Sequence, residues 1–232
     1  MKIALIHDFL IKLGGAERVV KELARLYPKA PIYTLLYDEE KCGRVFPKER
    51  VIASSLNHYP RWLRSRPWYL LGKMPMAIEA FDLSGYDLVI SSSGAFSHGV
   101  ITGPQTKHLC YCHSPMRYAW DYTHEYLAEK NLPWWQEYIV RKMLFEVRQW
   151  DRISADRPDK YVANSQHVAK RLKKYFQVDA EVIYPPVDVD RFNASGYKED
   201  YFLMISALTA FKKIELAISA FNKMGKKLLI VG

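Results

Sequence analysis

The chain has 232 residues, of which 49% are hydrophobic and 25% are charged, an ordinary balance for a globular protein with ample material for a core. Its formal net charge is +9, and a basic surface attracts nucleotides, anionic lipids or nucleic acids without choosing among them. There is no apolar run of about 18 residues, no solenoid repeat and no low-complexity tract. The sequence therefore excludes a membrane span and a repeat architecture.

The three cysteines and the first residues indicate the compartment. Cys42, Cys110 and Cys112 form no regular framework, and their odd number is typical of a reducing environment. The sequence starts directly on a strand pattern, so no signal peptide is visible. We therefore expect a cytoplasmic protein.

Short apolar runs alternate with helical patterns over the first 184 residues. Continuous apolar strands separated by helices indicate a parallel sheet that is covered on both faces. The sequence therefore predicts an α/β, Rossmann-like, doubly wound domain over residues 1–184, with its ligand site at the carboxyl ends of the strands. The predicted strands are residues 3–7, 31–37, 87–92, 108–112, 160–164 and 181–184.

A second unit follows a linker. Residues 185–200 begin with two prolines and end in Ser-Gly, which predicts an interdomain linker. Residues 201–232 then read as strand, helix and strand, the start of another Rossmann-like unit. A single unit of this size buries too little apolar surface to stand alone, so it either packs on the first domain or begins an incomplete second domain. We favour the incomplete domain.

Gly14 and Gly15 lie between the first strand and the first helix. A glycine-rich turn at this point lets an anion approach backbone N–H groups at the positive end of a helix. The pair is not a G-x-G-x-x-G fingerprint, and the alternative is a tight turn that needs positive φ. Glu17 suits the helix dipole and Arg18 opposes it, so a bound phosphate would compensate Arg18.

The fourth predicted strand carries the densest chemistry. Cys110 and Cys112 share one strand face and are predicted to be small core residues. A metal site would use both thiols and His113, but C-x-C-H is not a standard zinc spacing. His113 emerges at the carboxyl edge as a candidate site residue or as a hydrogen-bonded structural histidine. Arg117 would hold an anion or pair with Asp121.

Basic and aromatic residues alternate over residues 59–74 without any acidic residue. This composition suits a membrane interface, where rings lie among headgroups and cations meet anionic lipid. Single-stranded nucleic acid and an ordinary solvated loop are the alternatives, and the membrane is favoured over nucleic acid. The candidate membrane contacts are Arg61, Trp62, Arg64, Arg66, Trp68 and Lys73.

Two further segments have helical patterns. Residues 170–174 are rich in lysine and arginine, and the stripe of Val168, Leu172 and Tyr175 predicts that the lysines form an exposed polar face. In the segment that starts with Trp134-Trp135, apolar residues recur every four positions from 139 to 147. Core or interdomain packing is the prediction there.

Four segments together resemble glycosyltransferase family 4, the retaining GT-B enzymes, and in particular mannosyltransferase-like members from surface-polysaccharide clusters. The resemblance implies two facing Rossmann-like domains, of which the N-terminal one binds the acceptor and the C-terminal one most of a nucleotide-sugar donor. The segments are Gly14-Gly15-Ala16-Glu17-Arg18, residues 110–121, Val182-Ile183-Tyr184-Pro185-Pro186-Val187-Asp188, and Ser206-Ala207-Leu208 through Phe211-Lys212-Lys213-Ile214-Glu215-Leu216-Ala217.

The resemblance also implies residue roles. Gly14 and Gly15 would lie beside the donor phosphates, His113 would contact the transferred sugar, and Lys212 would neutralise the departing diphosphate. Family members often carry arginine at the position of Ala207, so leaving-group stabilisation here would depend more on Lys212. The family's Glu-x7-Glu motif, which binds the donor ribose and sugar, would lie beyond residue 232.

The resemblance thus implies retaining transfer of a mannose-like hexose from a nucleotide diphosphate sugar to a lipid-linked or saccharide acceptor. No metal or other cofactor is expected. Arg18 and Arg117 are candidate contacts for an acceptor or anion, and the expected location is the inner face of the cell membrane. The alternatives are a non-catalytic acceptor- or membrane-binding half and, on charge alone, a nucleic-acid-binding protein; no nucleic acid is expected as a partner.

Overall fold

The computed structural model describes residues 1–191, 196, 199–209 and 212–232. Residues 192–195 and 197–198 of the predicted linker, and Phe211 of the fourth motif, lie outside the described residues. The chain divides into two units, Met1–Pro186 and Val187–Gly232. The extent of the linker stays a prediction.

In the first unit, the described strands form one parallel sheet of seven in the order β3-β2-β1-β4-β5-β6-β7. The order reverses at the β1–β4 neighbours, which is the switch point where ligands bind in open α/β sheets. The predicted doubly wound fold is confirmed. The strands are β1 Ile3–Leu10, β2 Ile32–Tyr37, β3 Val51–Ala53, β4 Leu88–Ser93, β5 Lys107–Cys112, β6 Lys160–Ala163 and β7 Ala180–Val182.

Helices cover both faces of this sheet. Neighbouring residues of β1 point to opposite sides: Ala4 and Ile6 join the core formed with α4 and α6, whereas Leu5 between them packs against α1. Short 3-10 turns at Lys48–Arg50, Ser55–His58, Pro67–Lys73 and Ser97–Gly99 complete the connections. The helices are α1 Gly15–Leu26, α2 Glu39–Cys42, α3 Arg61–Arg64, α4 Met74–Glu79, α5 Thr123–Lys130, α6 Trp134–Ser154 and α7 Gln166–Tyr175.

The predicted strands are present with small shifts at their ends, and β3 was missed. Val51–Ala53 has only three residues, too few for a periodic pattern, and it pairs with β2 alone at the edge of the sheet. β1 continues to Leu10, three residues beyond the predicted end, and its burial is nearly complete. The sheet therefore has seven strands where six were expected.

The second unit contains the predicted strand, helix and strand. β8 (Phe202–Ile205) pairs in parallel with β9 (Leu228–Val231), and α8 (Ile214–Met224) connects them. Gly225 ends α8 with a positive φ of 59°, a conformation that glycine adopts at no steric cost. Another turn at Val189–Arg191 precedes these elements.

Near its C-terminal end, α6 buries the carboxyl group of Asp151 in the core. Its Oδ2 accepts a hydrogen bond of 2.6 Å from the Trp120 indole N–H, and its Oδ1 lies 3.5 Å from Nε2 of His98. Burial raises the pKa of Asp151 to about 8, and the nearby charge of Asp8 acts in the same direction. Burial also lowers the pKa of His98 to about 4, so that both groups are neutral at pH 7.

Asp151→Asn is expected to reduce the loss of stability that accompanies a rise in pH from 5 to 8. A folded pKa of about 8 against an unfolded value of about 4 means that the stabilisation by the protonated Asp151 is complete below pH 4 and is lost as pH rises to 8, by about 1.4 kcal/mol per pH unit. Denaturant unfolding at pH 5 and pH 8 measures this, with the exposed Asp156→Asn as control. An equal loss in Asp151→Asn and the wild type would contradict the prediction.

Helix α7 anchors the loop that follows β5. Arg171 is buried, and its guanidinium donates to the Asp121 carboxylate, to Ser114 Oγ at 3.1 Å and to the Pro115 carbonyl at 3.2 Å. Burial acts to raise the pKa of Asp121, but the hydrogen bond and charge of Arg171 outweigh it, and the pKa is lowered. The exposed face predicted for the lysines of residues 170–174 is confirmed, whereas Arg171 in the same run is buried because its side chain closes a loop.

Arg171→Lys is expected to destabilise the protein by about 1–3 kcal/mol, because a lysine ammonium cannot reach all three acceptors in the geometry of the guanidinium fork. Urea unfolding measures the change. Lys170→Gln, at an exposed neighbouring position of the same helix, is the control. If the two variants are equally stable, Arg171 does not hold the loop.

Candidate functional site

The carboxyl ends of β1 and β4 are held together by one buried carboxylate. Asp8, only 4% exposed, accepts backbone N–H groups of Gly94 at 2.6 Å, Phe96 at 2.8 Å and Ser97 at 2.7 Å. These residues follow β4, so Asp8 fixes that loop against β1. The sequence analysis did not single out Asp8; the available signal was an acidic residue within an otherwise apolar strand.

Ser92 links two histidines at this edge. Nδ1 of His7 donates to the Ser92 carbonyl oxygen at 2.9 Å, and the Ser92 hydroxyl bonds Nε2 of His113 at 2.8 Å. The two imidazole rings lie edge to face, with centroids 6.4 Å apart. The Asn164 amide also donates to the His113 carbonyl at 3.1 Å. His113 is thus fixed by neighbours on three strands or their ends.

His113 is a neutral imidazole at physiological pH. Burial lowers its pKa to about 4, and the neighbouring His7 acts in the same direction, whereas Asp8 and Glu17 oppose the shift. A neutral imidazole has one donor and one acceptor nitrogen. Nε2 bonds Ser92, and Nδ1 makes no hydrogen bond with any residue that the structure describes. The ring can therefore exchange one hydrogen bond with the hydroxyl of a ligand.

Gly14 and Gly15 begin α1 without a left-handed turn. Gly14 has φ −122° and ψ −160°, and among the described glycines only Gly225 has positive φ. The tight-turn alternative is therefore wrong. Gly14 donates its N–H to Oε2 of Glu17 at 2.8 Å, and a Cβ on Gly14 would meet that oxygen at 2.9 Å. Glycine at 14 makes room for this carboxylate cap.

Glu17 connects the glycine loop to the histidines. Its Oε1 lies 3.8 Å from Nε2 of His7. Burial acts to raise the pKa of Glu17, but contact with His7 and the N–H groups of Glu17 itself and Gly14 outweigh it, and the pKa is lowered. A contiguous row of polar groups therefore runs from Gly14 through Glu17 and His7 to Ser92 and His113.

Gly15 is open to a ligand. It is exposed, and a Cβ placed on it would meet no atom within 4 Å. The Gly14 N–H is already bonded to Glu17, so the N–H groups of Gly15 and the next residues of α1 are the ones at which an anion would bind. A depression of about 340 Å³ adjoins this point, lined in part by Lys12, Glu17, Arg61 and Arg64.

The other predicted anion contacts lie apart from this row. Arg18 is exposed on the first turn of α1. Arg117 is exposed after β5, and its guanidinium lies 4.9 Å from the ring centroid of Tyr122, while Asp121 pairs with Arg171. Lys212 is exposed and belongs to the second unit, after β8. The structure therefore brings together Gly14, Gly15 and His113 within one unit.

Three cations of the basic-aromatic segment bond within the protein. Arg61 forms a bidentate pair with Glu40 at 2.8 and 2.5 Å. Arg64 donates to the Tyr37 and Tyr59 carbonyls and to the Asn57 amide oxygen, each at 3.0 Å. The Lys73 ammonium donates to the Tyr59 hydroxyl at 2.6 Å.

The rest of that segment faces outward. Trp62 is 62% exposed, Arg66 is exposed, and half-buried Trp68 lies against Tyr69 with ring centroids 4.0 Å apart. In the described part of the chain no helix is both long and apolar enough to cross a membrane. Membrane contact by this segment stays a prediction.

Cys110 and Cys112 are core residues, as predicted. Both are buried in the cluster that α7 forms with β5 and β6. Burial raises the pKa of Cys110 to about 12 and that of Cys112 well above its usual value, so the thiolates that a metal would require are disfavoured. Among the described residues, no three His, Cys, Asp or Glu side chains are grouped to hold a metal ion.

Comparison with solved structures shows the fold. Anabaena HepE, solved in complex with UDP, is 16% identical with a TM-score of 0.56, over 96% of this chain and 58% of that one. Sucrose-phosphate synthase from Thermosynechococcus elongatus is 14% identical with a TM-score of 0.57, over 99% of this chain and 62% of that one. The chain thus spans about three fifths of the length of these proteins. No curated protein matches the sequence.

The sequence pattern of one family covers most of the first unit. The model of Glycosyltransferase Family 4 matches residues 13–191, from the residue before Gly14 to the end of the turn that follows Pro186. The matched region includes Gly14, Gly15, His113 and every strand of the sheet after β1. The chain belongs to glycosyltransferase family 4.

Proposed function

We propose that this protein transfers a sugar from a nucleotide diphosphate sugar to a lipid-linked or saccharide acceptor, with retention of configuration. The family assignment and the row of groups from Gly14 to His113 support this proposal. HepE, which has the same fold, was solved in complex with UDP. The sugar in this proposal is a mannose-like hexose, and the product belongs to a polysaccharide or glycolipid.

The neutral imidazole of His113 is the observation on which the proposal depends most. Ser92 fixes one ring nitrogen, so the other can bond a hydroxyl of the transferred sugar without placing a positive charge beside the reaction centre. The glycosidic bond to phosphate breaks with charge developing on the diphosphate oxygens. The N–H groups at the start of α1, together with Lys212, would stabilise that charge, so the proposal needs no metal ion.

The proposed acceptor also determines where in the cell the protein would act. An acceptor with a lipid anchor requires an enzyme at the membrane surface, and the exposed Trp62 and Arg66 suit contact with anionic lipid. We therefore place the protein at the cytoplasmic face of the membrane.

A second candidate is a binding half without catalysis of its own. The chain spans 58% of HepE and 62% of the synthase, and the donor-binding motif implied by the family resemblance lies beyond residue 232. Sugar transfer should be assayed with this chain and with the complete product of its gene. Transfer by the 232-residue chain alone would reject the binding-half candidate.

His113→Ala is expected to lower kcat/KM for sugar transfer by roughly 10²- to 10³-fold, because it removes a hydrogen bond at the reaction centre. Radiolabelled donor turnover by the complete gene product is the measurement. His124→Ala, an exposed histidine on α5, should leave turnover unchanged. Full activity in His113→Ala would remove His113 from the mechanism.

Gly15→Ala tests ligand binding at the start of α1 without disturbing the fold. The added Cβ meets no protein atom within 4 Å and alanine favours a helix start, so thermal stability should be equal or higher. If a phosphate approaches the backbone here, the methyl group is in its way, and UDP affinity measured by calorimetry should fall about tenfold or more. Unchanged UDP affinity with unchanged stability would reject Gly15 as part of the phosphate site.

A further inference from the structure

The first two turns of α6 present aromatic side chains to solvent. Trp134 is 82% exposed, Trp135 50%, Tyr138 69% and Ile139 58%. Positions i, i+1, i+4 and i+5 lie on adjoining strips of a helix, so the four side chains form one apolar surface. Core packing, one of the two alternatives predicted for this segment, is wrong for its first two turns, and interdomain packing stays a prediction. We call these four residues the aromatic end of α6.

The rest of the same helix packs in the core along one face. Val140, Leu144 and Val147 are at most 8% exposed and pack in the main cluster. Beyond the aromatic end, Phe145 (50% exposed) and Ile153 (69% exposed) are separate exposed apolar residues, so the grouping of four such side chains is a feature of the first two turns.

The aromatic end lies far along α6 from the contacts that the helix makes near its other end. Asp151, near that other end, contacts Trp120 and His98, which follow β5 and β4. With 1.5 Å per residue, Trp134 lies about 25 Å from Asp151 along the helix axis.

Helix α6 lies against the basic-aromatic segment. A Cβ on Gly72 would lie 3.8 Å from the Met143 side chain, which places the turn Pro67–Lys73 against α6. The Lys130 ammonium, at the end of α5, lies 5.5 Å from the ring centroid of Trp68. The turn Pro67–Lys73 thus packs on the middle of α6, and Trp68 lies beside Lys130, four residues before the aromatic end.

The composition of these two segments matches one class of partner. Residues 59–74 contain no acidic residue, and among the described residues Arg61 is the one cation of this segment that pairs with carboxylates, chiefly that of Glu40. In the first turns of α6, the carboxylate of Glu137 is paired with Arg141 at 2.6 Å. Tryptophan and tyrosine favour the water–lipid interface, and adjoining cations favour anionic headgroups. We propose that the aromatic end of α6 inserts into the headgroup region of an anionic lipid bilayer. This proposal extends the proposed function, and it rests on that function only in that a lipid-linked acceptor requires an enzyme at the membrane surface.

Vesicle co-sedimentation of the protein without any sugar donor tests this proposal. Two isoleucines on α6 form a matched pair: Ile139 is 58% exposed at the aromatic end, and Ile153 is 69% exposed at the other end. Ile139→Ser and Trp134→Ser should each weaken binding to vesicles of phosphatidylglycerol and phosphatidylcholine by about tenfold, and Ile153→Ser should not. Circular dichroism should give equal melting temperatures, because all three side chains are exposed.

Two outcomes would overturn the proposal. One is equal vesicle binding by the wild type and by both variants at the aromatic end. The other is unchanged vesicle binding with a shift from dimer to monomer in sedimentation, which would assign the surface to a second copy of the chain. Because binding is measured without donor, a wild-type protein that docks but transfers no sugar would support the docking and reject the proposed function.

Discussion

The candidate site depends on Asp8 and the three backbone N–H groups that it accepts from residues 94–97. Charge-assisted bonds to backbone N–H groups are strong, and a buried carboxylate with fewer partners would be costly. This single side chain ties the end of β1 to the loop after β4. It thereby fixes the end of β4, and with it Ser92, which bonds both His7 and His113. Loss of Asp8 would weaken this support and leave the Asn164 amide bond to the His113 carbonyl.

The same arrangement determines the charge of the site. Burial and the adjacent His7 keep His113 neutral, and Glu17 already bonds the Gly14 N–H. Positive potential is therefore left at Gly15 and the start of α1, where an anion can reach it. Arg171 supports the opposite side by fixing the loop after β5. A neutral ring beside an open helix end suits a ligand that joins a sugar to a phosphate.

Much of the fold could be predicted from the sequence, because apolar runs between helical patterns identify parallel strands. The sequence was insufficient where tertiary contacts determine the structure. Three residues of β3 carry no period, nothing in the run of lysines marks Arg171 as buried, and the first turns of α6 continue a core-like pattern into solvent. At the candidate site, the sequence analysis singled out the glycine pair and His113, whereas Asp8 acts on a loop that only the folded chain brings near.

The central claim is that the carboxyl edge of the first unit carries a sugar-nucleotide site. Hydrogen–deuterium exchange of the complete gene product, with and without a UDP-sugar, tests it most directly. We expect slower exchange at the start of α1, residues 15–18, and in residues 113–117 after β5, with no change at the end of α6 near Ile153. Unchanged exchange in both site segments, under conditions where the nucleotide is bound, would contradict the account.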